Sequence, residues 1–431
     1  MNASGFLMRL PGVFALAQAF LTVFLFPGLG TAATDPAITL PQAVAIAFQK
    51  NPDLAAFPFE IRGAEGRVLQ ASLRPNPEVE VELAGFGGDL PGTRRSEATL
   101  GVTQPLELGG KRPARTRKAS AEVEVLRRDY ESLSLNVVAG TRRAFITLLG
   151  AQKRLELTQE AHRIASLLAS TVHERVVAGA VSPIEETRAK VALSIATTDV
   201  ERAARDVEEA RRGLAAAIGE TTPSFGSASG ELRDDFPVPE LRLLESRVAE
   251  NPDLARWGPE RSRRDAALAA ERTLAIPNLS LSASYRRIEE DSENAFVAGF
   301  SVPLPLFNRN QGAIREAEAA VSRASLERRS AEVKLRAQLA QRHAVMTAAA
   351  REAKALREEA LSGAQSAYDA VSEGYRLGKF RYLDVLDAGK ALIETKLRHV
   401  DALVSMNLAR ADVERLITQP LEPGKIIPAE R

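Results

Sequence analysis

The chain has 431 residues, of which 45% are hydrophobic and 26% are charged, and its formal net charge is +1. Nucleic-acid-binding proteins usually carry a basic excess, so this balance argues against that class. The chain contains no cysteine, which excludes disulfides, thiolate metal ligands and a lipid anchor attached through cysteine.

The N-terminus has the pattern of a secretory signal peptide. Arg9 precedes an apolar stretch from Val13 to Phe26, and small residues follow it up to Ala33. We predict a signal peptide over residues 1–33, cleaved near Ala32 or Ala33. A transmembrane anchor is the alternative, but this stretch is shorter than the roughly 20 residues that a helical span needs. No later segment is apolar for that length, so any membrane span of the mature protein should consist of strands.

The rest of the chain repeats itself at an offset of about 200 residues. The tetrapeptide NPDL occurs at 51–54 and again at 251–254, and other segments match at nearly the same offset. The further pairs are 102–112 with 300–310 and 176–186 with 375–385, which place Gly179 and Gly378 in register. The sequence therefore predicts a tandem duplication.

The duplication gives the predicted domain boundaries. The first structural repeat covers 34–218 and the second covers 240–417. A linker rich in Gly, Ser and Pro joins them over 219–239, and residues 418–431 form a C-terminal tail.

Each repeat carries one predicted β-hairpin, at 78–104 and at 278–303. In the first, Val79, Val81 and Leu83 alternate with glutamates. Such period-two alternation is typical of strands with one apolar and one wet face.

Long helices follow each hairpin. Helices are predicted over 111–176 and 310–375, each about 100 Å long at 1.5 Å per residue. Return helices are predicted over 184–218 and 384–417. The first of these carries a heptad seam, made by the large residues Leu193, Val200, Val207 and Leu214 and the small residues Ala196, Ala203, Ala210 and Ala217.

Two hairpins supply only four strands per chain, and a closed barrel needs about eight. The strands therefore require other subunits, and three chains would supply twelve. If three chains assemble in this way, their helices would form a hollow cylinder.

The chain closely resembles the TolC-like outer-membrane efflux family over essentially all of its mature sequence. The segments TQPLELGGKR (103–112) and PLPLFNRNQG (303–312) are similar to the cation-efflux, CusC- and CzcC-like branch. The resemblance implies a mixed fold, in which a homotrimer completes a twelve-stranded outer-membrane β-barrel and a long periplasmic α-helical barrel. It also implies a passive exit duct in contact with outer-membrane lipid, a periplasmic adaptor and a resistance-nodulation-division (RND) pump of the inner membrane. Some relatives are lipoproteins, whereas this chain has no cysteine to acylate.

Within this family the two helical turns form the closed periplasmic tip. The segment GYRLGKFRYLDVLDA resembles the family motif G-Y-x-x-G-x-x-x-x-x-D-V-L-D. The match assigns the pore constriction to Asp384 and Asp387, and gating contacts to Tyr375 and Glu185. An alternative role for Asp384 is to begin the return helix and complement its dipole.

Two further assignments follow from the resemblance. The family's gating arginine position is occupied by Phe380, with Arg381 beside it, so the locking network departs from the family pattern. Adaptor docking is assigned to the two turns, at Gly179, Ser182, Gly378 and Lys379.

No cofactor, metal site or catalytic group is predicted. The four histidines all lie in predicted helices and do not have the spacing of metal ligands. They are His162, His173, His343 and His399. Nothing resembles a catalytic triad, so we do not expect an enzyme. The alternative function is a periplasmic coiled-coil adaptor or scaffold, which would fit the helices but not the strands. The sequence does not identify the transported substrate.

Overall fold

A computed structural model describes residues 36–85, 96–234, 237–290 and 292–421. The predicted signal peptide and the predicted tail beyond residue 421 lie outside these ranges. No helix in the described ranges combines the length and the apolar character needed to cross a membrane.

The element order of the first repeat recurs in the second. The first repeat contains β1 (Ala37–Ile38), α1 (Leu40–Lys50), α2 (Pro52–Ser72), β2 (Glu78–Ala84), β3 (Glu97–Leu106), α3 (Lys111–Val177) and α4 (Pro183–Ala217). Next come β4 (Ser227–Ala228), α5 (Leu241–Glu245), α6 (Pro252–Ala255), α7 (Trp257–Leu274), β5 (Leu279–Ile288) and β6 (Glu293–Ser301). The chain continues with α8 (Gln311–Ala355), α9 (Leu361–Arg376) and α10 (Tyr382–Ile417).

The repeated NPDL tetrapeptide starts a helix in both repeats. The Asn51 side chain accepts hydrogen bonds from the backbone N–H groups of Asp53 (3.0 Å) and Leu54 (3.2 Å). Asn251 accepts one from Asp253 (2.8 Å). A proline follows each asparagine at the first helical position, where its missing N–H has no intrahelical role. The motif is thus kept in both copies by the chemistry of a helix start.

The four long strands form one antiparallel sheet in the order β2-β3-β5-β6. Its central pairing, β3 with β5, joins the two repeats. The register places the predicted apolar residues of all four strands on one face, including the row Val81, Leu100, Tyr285 and Phe296. Glutamates, threonines and serines occupy the opposite face. Strands β2 and β6 are the open edges of this sheet.

The helices pack side by side in a matching order. Near the sheet, α3 packs between α2 and α7, and α7 packs against α8. Farther away, α3 packs against α4 and α10, and α10 contacts α8 and α9. Helix α3 spans the whole height, about 100 Å for its 67 residues. Pro113 falls in its first turn, where proline is tolerated.

The predicted linker over 219–239 is more than a connection. It contains β4, which pairs in parallel with β1 at the start of the first repeat. Phe225 is buried in a core with Phe145, Leu148 and Leu214. Because this segment contributes a strand and core residues, it is part of the packed structure around the middle of the helices.

The second long helix, predicted as continuous over 310–375, is interrupted. Residues Leu356–Ala360 form one π-helical turn between α8 and α9. The guanidinium of Arg357 in this turn pairs with Asp234 of the linker at 3.0 Å. Periodicity alone did not reveal the wider turn, since it changes the helical phase by only one residue. The other predicted boundaries differ by only a few residues, as for the return helix, which begins at Tyr382 instead of 384.

Candidate functional site at the helical turns

The turn between α3 and α4 is built around Gly179. Its φ is +71°, a left-handed conformation that favours glycine. The N–H groups of Gly179 and Ala180 donate to the carbonyls of Val176 (3.0 Å) and Arg175 (2.8 Å), which closes the C-terminus of α3. Ser182 then caps α4 by accepting from the N–H of Ile184 at 3.4 Å.

The turn between α9 and α10 repeats this geometry. Gly378 has a φ of +74° and donates to the carbonyl of Tyr375 at 3.0 Å, and Lys379 donates to the carbonyl of Gly374 at 2.7 Å. An added Cβ on Gly179 or Gly378 would meet no atom within 4 Å. Glycine is therefore required at these two positions by backbone conformation, not by crowding.

Gly374 is required for a different reason, which sequence reasoning missed. An added Cβ there would lie 2.3 Å from the ring of Phe380. The phenyl ring at the position of the family's gating arginine thus packs directly against the helix backbone. Gly374 is the first glycine of the G-Y-x-x-G motif, so the motif could have indicated this contact.

Asp384 begins α10 as a capping residue. Its carboxylate accepts from the backbone N–H of Arg381 at 2.9 Å and pairs with the Arg381 guanidinium at 3.4 Å. The hydrogen bond from the Arg381 N–H lowers the pKa of this carboxyl. The helix-start role is therefore present in the structure. Asp387, three residues on and on the same helical face, is exposed. The pore role of both aspartates stays a prediction.

Tyr375 is buried between two helical hairpins, the first formed by α3 and α4 and the second by α9 and α10. The Arg175 guanidinium of α3 lies 4.3 Å from the centroid of the Tyr375 ring and donates to its carbonyl at 3.2 Å. Within the described residues, the Tyr375 hydroxyl has no hydrogen-bond partner, so it is not bonded to Glu185. The predicted gating role of this pair stays a prediction. Arg175, which sequence reasoning missed, is the residue that contacts Tyr375.

A second buried tyrosine completes the core of the tip. Tyr382 packs with Tyr375, Val172, Leu168 and Val385 in one apolar cluster. Burial raises the pKa of its hydroxyl, and the nearby Tyr375 and Glu185 raise it further. This cluster links α3, α4, α9 and α10, so the two turns form one unit.

A charged group lies beside the first turn. Glu186 of α4 contacts Lys190 at 2.6 Å and the Nδ1 of His173 on α3 at 3.0 Å. Hydrogen bonds from Lys190 and then from His173 lower the pKa of the Glu186 carboxyl. The pair with His173 joins the two helices of the first hairpin.

The histidines do not gather into a metal site in the described ranges, where no three His, Asp or Glu side chains are placed to hold an ion. The Nε2 of His343 lies 2.8 Å from the carbonyl of Pro239. His399 is half-buried, and burial lowers its pKa.

The comparisons with known proteins agree with this architecture. The family model described as "Outer membrane efflux protein" matches residues 43–220 and 243–419. The chain is 31% identical over 405 residues to the cobalt-zinc-cadmium resistance protein CzcC of Cupriavidus metallidurans, covering 94% of this chain and 95% of CzcC. It is 27% identical over 315 residues to the nickel-cobalt-cadmium resistance protein NccC of Alcaligenes xylosoxydans xylosoxydans, covering 73% and 70%.

Solved structures show the same fold. A crystal structure of CusC has a TM-score of 0.75 at 15% identity, with 91% of this chain and 95% of that chain covered. A membrane protein from Pseudomonas aeruginosa has a TM-score of 0.75 at 20% identity, covering 88% and 93%.

These matches confirm the resemblance to TolC-like channels and do not favour the adaptor or scaffold alternative. The protein is an efflux channel of the outer membrane with a long periplasmic helical part, and it is not an enzyme. The chain belongs to the outer membrane efflux protein family.

Proposed function

We propose that three copies of this chain form the exit duct of a tripartite efflux system that exports divalent heavy-metal cations. The cargo class is supported by the relatives CzcC and NccC, whose names state resistance to cobalt, zinc, nickel and cadmium. The duct is passive, and an RND pump of the inner membrane supplies the driving force through a periplasmic adaptor.

The observation that best supports a trimer is the open sheet. Its four strands have one apolar and one polar face, and β2 and β6 have no strand partner on their outer sides in the described chain. Unpaired strand edges are unfavourable inside a bilayer, and four strands are too few to close on themselves. Three copies pairing β6 to β2 would close a barrel of twelve strands.

The helices have matching open edges. Helix α2 exposes Phe59 and Leu69 on one side of the layer, and α8 exposes Leu326 and Val333 on the other. The two edges differ, so copies that joined them head to tail would form a ring instead of a two-fold dimer. The apolar residues of α8 on one copy would then cover those of α2 on the next.

The two turns lie at the end of the helices farthest from the sheet, where an adaptor would reach the duct. Gly179 and Ser182 shape one turn, and Gly378 and Lys379 shape the other. We assign adaptor docking to these turns, and the constriction to Asp384 and Asp387 just behind the second one.

The test is to express the chain in a bacterium that lacks its own heavy-metal exit channel, together with a cognate pump and adaptor. Heat-resistant trimers in the outer-membrane fraction and lowered cellular cobalt, zinc and cadmium are expected. Deletion of residues 78–104 serves as the control, because it removes half of the strands and should abolish membrane insertion while leaving helical content intact. Monomers in the periplasm, or unchanged metal content with normal trimers, would overturn the trimer or the cargo assignment respectively.

Docking is tested separately by Gly179→Val and Gly378→Val. Valine is strained at these positive φ values although space is free around both positions. Crosslinking to the adaptor should fall while trimer yield is kept. Unchanged crosslinking would show that the adaptor docks elsewhere.

A further inference from the structure

The loop between β6 and α8 exposes a run of large apolar side chains. Leu304, Leu306 and Phe307 are 77%, 65% and 91% exposed. The segment from Val302 to Asn308 contains no charged residue, and Arg309 follows it. The loop begins at the end of β6 that faces the helices, which is the periplasmic end of the sheet.

This loop is held in place by hydrogen bonds. The N–H of Leu306 donates to the carbonyl of Leu304 at 2.9 Å. The Asn310 N–H donates to the Asn308 side chain at 3.0 Å, and the Asn310 side chain donates to the carbonyl of Glu271 on α7 at 2.8 Å. The apolar side chains therefore project from an ordered backbone.

The equivalent loop of the first repeat is different, although the strand and helix on either side correspond. When Gly110 and Asn310, the left-handed residues that precede α3 and α8, are aligned, position 107 matches 307 and is a glutamate. Its carboxylate pairs with Arg115, which also donates to the carbonyls of Ala71 and Leu73 at 2.9 Å each. The first loop thus folds onto the helices through a charged pair. Since the same connection can be made with a polar residue, the fold does not require the exposed phenylalanine.

We propose that Leu304, Leu306 and Phe307 insert into the periplasmic leaflet of the outer membrane as an interfacial anchor. This inference rests on the barrel of the proposed function. Strand β6 has nine residues, about the length that spans a bilayer, so the loop after it falls at the membrane interface. Its apolar residues follow closely on Phe300, the last residue of β6 on the apolar face of the sheet.

The chemistry of the loop fits phospholipid. Aromatic residues gather at the interfaces of outer-membrane barrels. Arg309 is exposed and forms no ion pair within the described ranges, and its Nε–H donates to the carbonyl of Pro305 at 3.2 Å. Its remaining donors can reach a headgroup phosphate, since a planar guanidinium can donate two parallel hydrogen bonds to phosphate oxygens.

The experiment places a single tryptophan in the loop of the full-length protein in phospholipid vesicles. Trp257, the only native tryptophan, is replaced by phenylalanine, and Phe307→Trp is introduced. Phe300→Trp on the strand is the matched control, and the wild type with Trp257 in α7 is the reference. Each variant is first shown to be folded by its helical circular dichroism. The vesicles contain lipid brominated either near the headgroup or near the end of the acyl chain.

We expect the emission of Phe307→Trp to be quenched more by lipid brominated near the headgroup than by lipid brominated near the chain end. Quenching of Phe300→Trp together with unquenched, blue-shifted emission of Phe307→Trp would overturn the anchor in favour of a contact with a second copy. Unquenched emission that iodide suppresses would overturn it in favour of water. If neither variant is quenched, the barrel itself is wrong and the anchor fails with it.

Discussion

The guanidinium of Arg175 lies 4.3 Å above the ring of Tyr375 and donates a hydrogen bond to its backbone carbonyl. Arg175 lies in the last turn of α3 in the first repeat, and Tyr375 lies in the last turn of α9 in the second. One side chain therefore holds the two hairpins of a protomer together at the tip. Because the tyrosine ring is buried, the cation–π contact is partly shielded from water. A contact shielded in this way is worth about 1–2 kcal/mol.

Arg175→Ala should loosen the tip and raise the conductance of the resting channel in planar bilayers. Proteolysis at the turn around residue 180 should also become faster. The control is Arg376→Ala, since Arg376 is exposed and, among the residues that the structure describes, pairs only with Glu373 on its own helix. Equal conductance and equal cleavage of the two variants would show that Arg175 does not hold the hairpins.

Much of the fold follows from local patterns in the sequence. Alternation at Val79, Val81 and Leu83 predicted the first hairpin and its apolar face correctly, because strand periodicity depends on neighbouring residues alone. The partner of Arg175 could not be predicted in this way, since nothing near an exposed-looking arginine specifies a ring 200 residues away. The β1–β4 pairing was missed for the same reason, because two-residue strands are too short to show a period.

Gly374→Ala should lower the stability of the tip. The added methyl group would overlap the Phe380 ring, and overpacking of this kind typically costs about 1–3 kcal/mol. The midpoint of thermal unfolding of the detergent-solubilised protein measures the effect. Gly374→Ala combined with Phe380→Ala should recover part of the loss, because the second change removes the obstructing ring. A double variant no more stable than Gly374→Ala would contradict the contact.

The ends of the two return helices differ in a way that predicts a stabilising substitution. Gly219 after α4 and Thr418 after α10 both have positive φ, +85° and +60°. Threonine is strained in this conformation, and among the described residues its hydroxyl is buried without a hydrogen-bond partner. Thr418→Gly should raise the free energy of unfolding by about 0.5–1 kcal/mol, measured as a higher Tm.

The reverse change is the control. A Cβ at Gly219 would lie 2.4 Å from the carbonyl oxygen of Lys50, so Gly219→Thr should be strongly destabilising. If both substitutions shift the Tm in the same direction, backbone strain is not the cause.

The helical hairpin formed by α3 and α4 should loosen in acid. Its Glu186 carboxyl has a lowered pKa because Lys190 and then His173 donate to it. These interactions therefore stabilise the folded state above the unfolded pKa of the carboxyl and are lost as the pH falls through the folded pKa. Cleavage at the turn around residue 180 should rise over that acidic range, measured with an acid-active protease.

Glu186→Gln should remove much of this pH dependence by giving fast cleavage at neutral pH as well. Glu201→Gln, an exposed position of the same helix, is the control and should behave as the wild type. Identical pH profiles for all three proteins would show that Glu186 does not hold the hairpin.

Asp384 and Asp387, behind the second turn, should both affect ion selectivity, but only Asp384 should affect stability. Their spacing of three places both on one helical face, and convergence of three copies would bring their carboxylates into one narrow opening. Confined negative charge favours cations. Asp387→Ala should weaken cation selectivity and block by multivalent cations in planar bilayers while leaving Tm unchanged, because the residue is exposed. Asp384→Ala should also lose the hydrogen bond from the Arg381 N–H that caps α10, and so lower the Tm.

Glu394→Gln is the matched control, since it removes a negative charge from the same helix, farther from the turn. In the described part of the chain Glu394 pairs only with Arg398. This variant should leave selectivity unchanged. The double variant Asp384→Ala with Asp387→Ala should show the largest loss of cation preference and of multivalent block. If the double variant selects and blocks as the wild type does, the aspartates serve only to start α10, and the constriction lies at another level of the duct.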